Sequence, residues 1–119
     1  MSVYITETFD NMKDGLDKMK EAMIEDYKGF MPPEKSTVTE KMNQEFVENF
    51  QIKFGNKYIK VVTKNSVSAF IVNTDKDKKF KMGDILLPAG WAAPARNHAR
   101  GNILDGNYEI AWTGACYIG

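Results

Sequence analysis

From Phe9 to Tyr27 the apolar residues fall at Phe9, Met12, Leu16, Met19, Met23 and Tyr27, three or four positions apart, and acids and lysines fill the gaps from Asp10 to Asp26. This is one face of an α-helix opposite a solvated one. The pattern predicts a helix over residues 7–28, capped by Thr6 or Thr8. Gly29 is expected in the left-handed conformation after the last turn, with Phe30 folded back on Ile24 and Pro32-Pro33 blocking continuation. The methionine-rich stripe is expected to dock on the protein's own sheet. The alternative is a seam that pairs with a second copy or a partner.

Residues 29–44 read as a polar linker in which Thr37-x-x-Glu40 offers a capping box for a short helical turn. Over residues 45–119 the period changes to two. Phe50, Ile52 and Phe54 alternate with Gln51 and Lys53, and Gly55-Asn56 is a hairpin signal leading into Tyr58–Thr63. A turn at Lys64-Asn65-Ser66 leads to Val67–Asn73, and the charged tip Thr74–Lys79 reads as simply solvated. Ile85-Leu86-Leu87 is a buried strand ended by Pro88. Asp105-Gly106 joins Asn102–Leu104 to Asn107–Thr113, whose Tyr108, Ile110 and Trp112 share a face. The reading is one α+β domain over residues 1–119, an N-terminal amphipathic helix packed on an antiparallel β-sheet of five or six strands, as a meander or small barrel-like sheet.

Composition narrows the setting. A chain of 119 residues, 43% apolar and 27% charged, is of ordinary globular make-up and long enough to bury a core. Sixteen basic and sixteen acidic residues cancel, which argues against nucleic acid and anionic membranes as partners unless a local patch exists. The single cysteine, Cys116, forms no internal disulfide, and no apolar run approaches the roughly 20 residues of a membrane span. The start, Met1-Ser2-Val3-Tyr4, lacks the basic and apolar regions of a signal peptide. These features predict a soluble, cytoplasmic protein. The stretch Ile110–Gly119 carries no charge, so a homo-oligomer formed through a strand edge is expected over a monomer that closes its own sheet.

The segment Gly83–Gly106 carries the candidate chemistry. Every lysine lies at or before Lys81, whereas both arginines, Arg96 and Arg100, lie after it and flank the lone histidine, His98. Arginine's planar fork suits carboxylate or phosphate in a way that a lysine point charge does not. With Trp91 as a stacking face and Asn97 and Asn102 as amide groups, the residues Trp91, Arg96, Asn97, His98, Arg100 and Asn102 are the parts of a site for a small anionic ligand, a nucleotide above all. The structural alternative has Arg96 and Arg100 bracing the loop through carbonyls or pairs with Asp84, Asp105 or Glu109, His98 hydrogen-bonded, and both tryptophans in the core. Enzyme readings find little. Walker, G-x-G-x-x-G, H-E-x-x-H, C-x-x-C and G-x-S-x-G motifs are missing, and one cysteine and one histidine do not make a zinc site. A Cys116/His98 nucleophile pair is disfavoured, because Cys116 sits in an apolar strand as a packed thiol. No catalytic residue, metal ligand or cofactor is predicted.

Gly83-Asp84-Ile85-Leu86, Trp91-x-x-Pro94-Ala95-x-Asn97, Ala99-Arg100-Gly101-Asn102-Ile103, Gly106-x-Tyr108 and Trp112-Thr113-Gly114 resemble the C-terminal part of small proteins of tailed bacteriophages. The resemblance covers about a third of the chain and leaves the N-terminal helix outside it. It implies a phage accessory protein made in the host bacterial cytoplasm. By analogy it would sequester an immune-signal nucleotide or act as a protein-binding inhibitor of a host factor; a virion or assembly subunit is a further alternative. The protein-binding readings would use the methionine-rich helix or a free sheet edge.

Overall fold

Asn11 begins the first helix, and a computed structural model places its Oδ1 2.9 Å from the Asp14 backbone N–H, which donates to it. The structure describes residues 3–30, 37–64, 66–106 and 108–115. The elements are β1 (Val3–Ile5), α1 (Met12–Phe30), α2 (Thr37–Glu48), β2 (Gln51–Phe54), β3 (Tyr58–Thr63), β4 (Ser66–Val72), β5 (Ile85–Leu86), β6 (Tyr108–Ala111) and β7 (Gly114–Ala115). The α+β class holds, with three differences in layout.

First, α1 starts later than residue 7, because the segment before it is held away as β1, and Phe9 N–H donates to the Leu104 carbonyl at 2.8 Å. The cap is therefore Asn11, not Thr6 or Thr8. Gly29 continues the helix without a positive φ. Second, the expected linker and the start of the expected β region are occupied by a full second helix, α2, whose Phe46 is buried against Tyr27 with stacked rings 4.1 Å apart. Third, the strands form two antiparallel sheets, β1-β6-β7 and β2-β3-β4-β5. Asn102–Leu104 is no strand. It closes a turn in which Gly106 N–H donates to the Asn102 carbonyl at 3.1 Å, and β6 pairs instead with β1 and β7. The Phe30 side chain, Pro32-Pro33, Asn65 and the Cys116–Ile118 stretch lie outside the described residues.

The stripe of α1 docks on the protein's own sheets. Leu16, Met19, Met23 and Tyr27 are buried with Ile5, Ile59, Val61, Ala69, Ile71, Ile85 and Ile110. The methionine-rich face is therefore core, which removes the seam that a protein-binding or self-pairing helix would have offered. The other face of the four-stranded sheet forms a smaller cluster, Phe70, Val72, Phe80 and Leu86, packed by Tyr58, Val67 and Ala99. Val67 reaches that outer face because of a bulge. Val61 pairs with Ala69 but Val62 with Val67, so Ser68 is an extra residue in β4 and side-chain alternation shifts by one. The hydroxyls of Ser68 and Thr63 hydrogen-bond each other inside the fold.

Met23→Ala removes a side chain with no exposed surface and is expected to cost about 2–5 kcal/mol, read from urea unfolding. Glu21→Ala, on the solvated face of the same helix, should change stability by less than about 0.5 kcal/mol. Equal effects would contradict the docking of this stripe.

Candidate functional site

The segment after β5 folds back on the outer face of the four-stranded sheet. Ala89 and Gly90 N–H both donate to the Ala93 carbonyl, at 3.0 and 3.2 Å, and Ala95 N–H donates to Leu87 at 2.7 Å. The result is a narrow hairpin with Trp91 at its tip, 53% exposed. Beyond it the chain returns along β5, with Ile85 N–H on the Gly101 carbonyl at 2.8 Å and Arg100 N–H on Ile85 at 2.7 Å. Gly101, at φ +134°, allows this approach: a Cβ there would stand 2.4 Å from Tyr108 Cβ.

The six residues singled out in the sequence do not converge on one point. Asn102 is buried and internally saturated. It donates to the Met82 carbonyl at 3.0 Å and Asp84 Oδ1 at 2.9 Å, and accepts from Leu104 N–H at 2.8 Å and Asp105 N–H at 3.0 Å. Arg100 is also buried. Asn97 and His98 lie exposed beyond the hairpin, with His98 N–H donating to Asn97 Oδ1 at 3.0 Å. Trp112 packs edge-on against Tyr27 and Phe46 on the helical side, with ring centroids 5.2 and 6.3 Å away.

Arg96 and Trp91 remain on the outer face. Arg96 makes a two-pronged pair with Asp77, both contacts at 3.0 Å, donates to the Tyr58 hydroxyl, and lies 5.0 Å over the Phe80 ring. Its brace is thus the loop tip that was expected only to be solvated. The Asp77 side chain is 1% exposed and also accepts from Lys79 and Phe80 N–H at 2.9 and 3.0 Å. The Arg96 hydrogen bonds, then those backbone N–H groups, hold the Asp77 carboxyl well below its ordinary range.

Around this pair opens a cleft of about 470 Å³ lined by Asn56, Lys57, Thr74, Lys76, Asp77, Lys78 and Arg96. Its one carboxylate is already held by Arg96, and Lys57, Lys76 and Lys78 make no ion pair among the described residues. Four cations therefore face one occupied anion. Trp91 forms a second group, with Lys60 Nζ 4.7 Å and Lys53 Nζ 5.8 Å from its ring centroid. Among the described residues no three His, Cys, Asp or Glu side chains gather as a metal site would require.

A model of DUF7717, a family of unknown function, matches residues 4–117. The chain belongs to this family. No curated protein and no solved structure matches it. The site of this DUF7717 chain thus stands on its own geometry.

Sequence reasoning missed the lysines because it summed charge over the whole chain. Residues 1–50 hold eleven acids against six lysines, and residues 51–119 hold five acids against ten bases. The balance is a segregation, with the helices acidic and the β half basic.

The Asp77 pair has a pH signature. A carboxyl whose folded pKa is depressed contributes stability that is complete above its unfolded value, near 3.8, and is lost as pH falls toward the folded value. Urea midpoints of the natural chain and Asp77→Asn should therefore differ most near neutrality and converge as the pH falls below about 4. A gap that persists in acid would contradict the pairing.

Proposed function

We propose that this protein is a non-enzymatic binder of a small phosphate-bearing ligand, a nucleotide in particular, at the cleft between the Gly55–Tyr58 turn, the loop carrying Lys76 and Lys78, and Arg96. One observation carries the reading: among the described residues, three lysines without ion pairs converge with Arg96 on a cleft whose one lining carboxylate is already engaged. Arg96 then acts as a fixed platform, since Asp77 and Tyr58 hold its fork, and the mobile ammonium groups supply the charge that meets the ligand. Trp91, Asn97 and His98 stay within the proposal as exposed neighbours, while Arg100 and Asn102 support the segment from inside.

The bacteriophage resemblance of the C-terminal third supports placing this binder among phage accessory proteins, acting in the bacterial cytoplasm by holding a nucleotide signal. None of the described helices is long and apolar enough to cross a membrane.

Thermal unfolding with pyrophosphate and with mono-, di- and cyclic nucleotides tests the proposal. A ligand at 100 times its Kd should add about 2.7 kcal/mol of stability. The double variant Lys57→Ala/Lys78→Ala should lose that gain while unfolding normally without ligand. If no phosphate compound raises the unfolding temperature, the proposal fails.

A further inference from the structure

The cleft and the Trp91 group share one face of one strand. Tyr58, whose hydroxyl accepts from Arg96, and Lys60, whose ammonium lies under Trp91, are two residues apart on β3. They point to the same side of the sheet, about 7 Å apart along the strand. Lys60 pairs with Lys53 on β2 and with Phe70 on β4, and Lys60 Nζ lies 5.8 Å from the Phe70 ring centroid, which fixes both lysines on this outer face. Both ammonium groups thus meet the indole from the sheet side. From Gln51 to Val72 the chain contains Lys53, Lys57, Lys60 and Lys64 and no acidic residue at all.

We propose that the two groups form one track for a short single-stranded nucleic acid, with a base stacked on the exposed half of Trp91 and successive phosphates at Lys53/Lys60 and at the Lys57–Arg96 cleft. The proposal rests on the anion reading of that cleft and names its ligand class. An aromatic flanked by cations, continuous with a basic groove, is what non-sequence-specific single-strand binders present, because every base has a face to stack. A duplex keeps its bases stacked on one another and leaves the indole unused. Among the described residues no helix, the usual major-groove reader, lies on this face: α1 lies against the other side of the sheet and belongs to the acidic half of the chain. An acidic peptide would satisfy the lysines but gives the indole no partner.

Anisotropy of fluorescein-labelled di-, tetra- and octathymidylate at low salt tests the track, with pyrophosphate stabilisation of the same protein as the parallel reading of the cleft. Affinity should rise with length. Trp91→Ala should weaken octathymidylate by about tenfold or more and leave the pyrophosphate effect unchanged, whereas Trp91→Phe should recover most of the loss. Lys57→Ala should reduce the slope of log K against log salt by about 0.7, the value for one phosphate of a single strand. Octathymidylate binding no better than the dinucleotide, indifference to Trp91→Ala, or equally tight binding of duplex DNA or polyglutamate would each overturn the track and leave the cleft standing. Failure of pyrophosphate to stabilise the natural chain would overturn the reading beneath it.

Discussion

The two-pronged contact between Asp77 and Arg96 is the constraint on which the outer face depends. It ties the loop after β4 to the segment after β5 on one side of the sheet, and the ammonium of Lys79, which donates to the Arg96 carbonyl at 2.7 Å, joins the same two stretches. With that tie in place the hairpin segment stays on the sheet, and the buried cluster Phe70, Val72, Phe80 and Leu86 keeps its cover. The same contact decides the electrostatics. A carboxylate left open in the cleft would offset one lysine and compete with any anion. Held by a guanidinium and two backbone N–H groups, it stays ionised yet engaged. An ion pair at a protein surface usually adds little stability. Its weight here comes from position, because it closes a loop and clears a site together.

Two further devices prepare the surface that Arg96 closes. The bulge at Ser68 turns Val67 outward, where it lines a second cleft with Pro88 and Trp91 and so gives the hairpin an apolar seat. Asn102 then fixes the far end, three of its side-chain hydrogen bonds holding backbone at Met82, Leu104 and Asp105 and the fourth holding the Asp84 carboxylate. A buried amide with both ends used works as a covalent-like staple, since any partner removed leaves an unsatisfied polar group inside. The helices take no part in this face. They cover the opposite side of the sheet and carry eight of the sixteen acids, which helps to separate the charge of a chain that is neutral overall.

What the sequence revealed follows from which interactions are local. The α1 stripe, the Gln51–Phe54 and Tyr58–Thr63 hairpin and the strand around Phe70 are short-range patterns, and each is present. In the sequence the second helix shows only as a linker with a short helical turn, because Met42 and Phe46 give a brief four-residue rhythm among polar neighbours; its stabilisation comes from packing on Tyr27, far away in sequence. Strand β1 was invisible for a similar reason: three residues gain their hydrogen bonds from β6, at the other end of the chain. The clustering of arginines draws attention to the segment around Arg96, yet not to Asp77, nineteen residues earlier, which in the sequence is one of many charges in a loop tip. Lys53, Lys57 and Lys60 become a surface only through strand pairing and register. The sequence holds their lysine-only spacing, but a whole-chain charge sum conceals it.

Central to the proposed function is that the outer face around Arg96 accepts phosphate while the helical side does not. Backbone amide NMR of the labelled protein during titration with pyrophosphate addresses it residue by residue. Saturable shifts are expected at Lys57, Lys76, Asp77, Lys78 and Arg96, with the amides of α1 unmoved. Shifts centred on α1 or α2, or spread evenly along the chain without saturation, would contradict it.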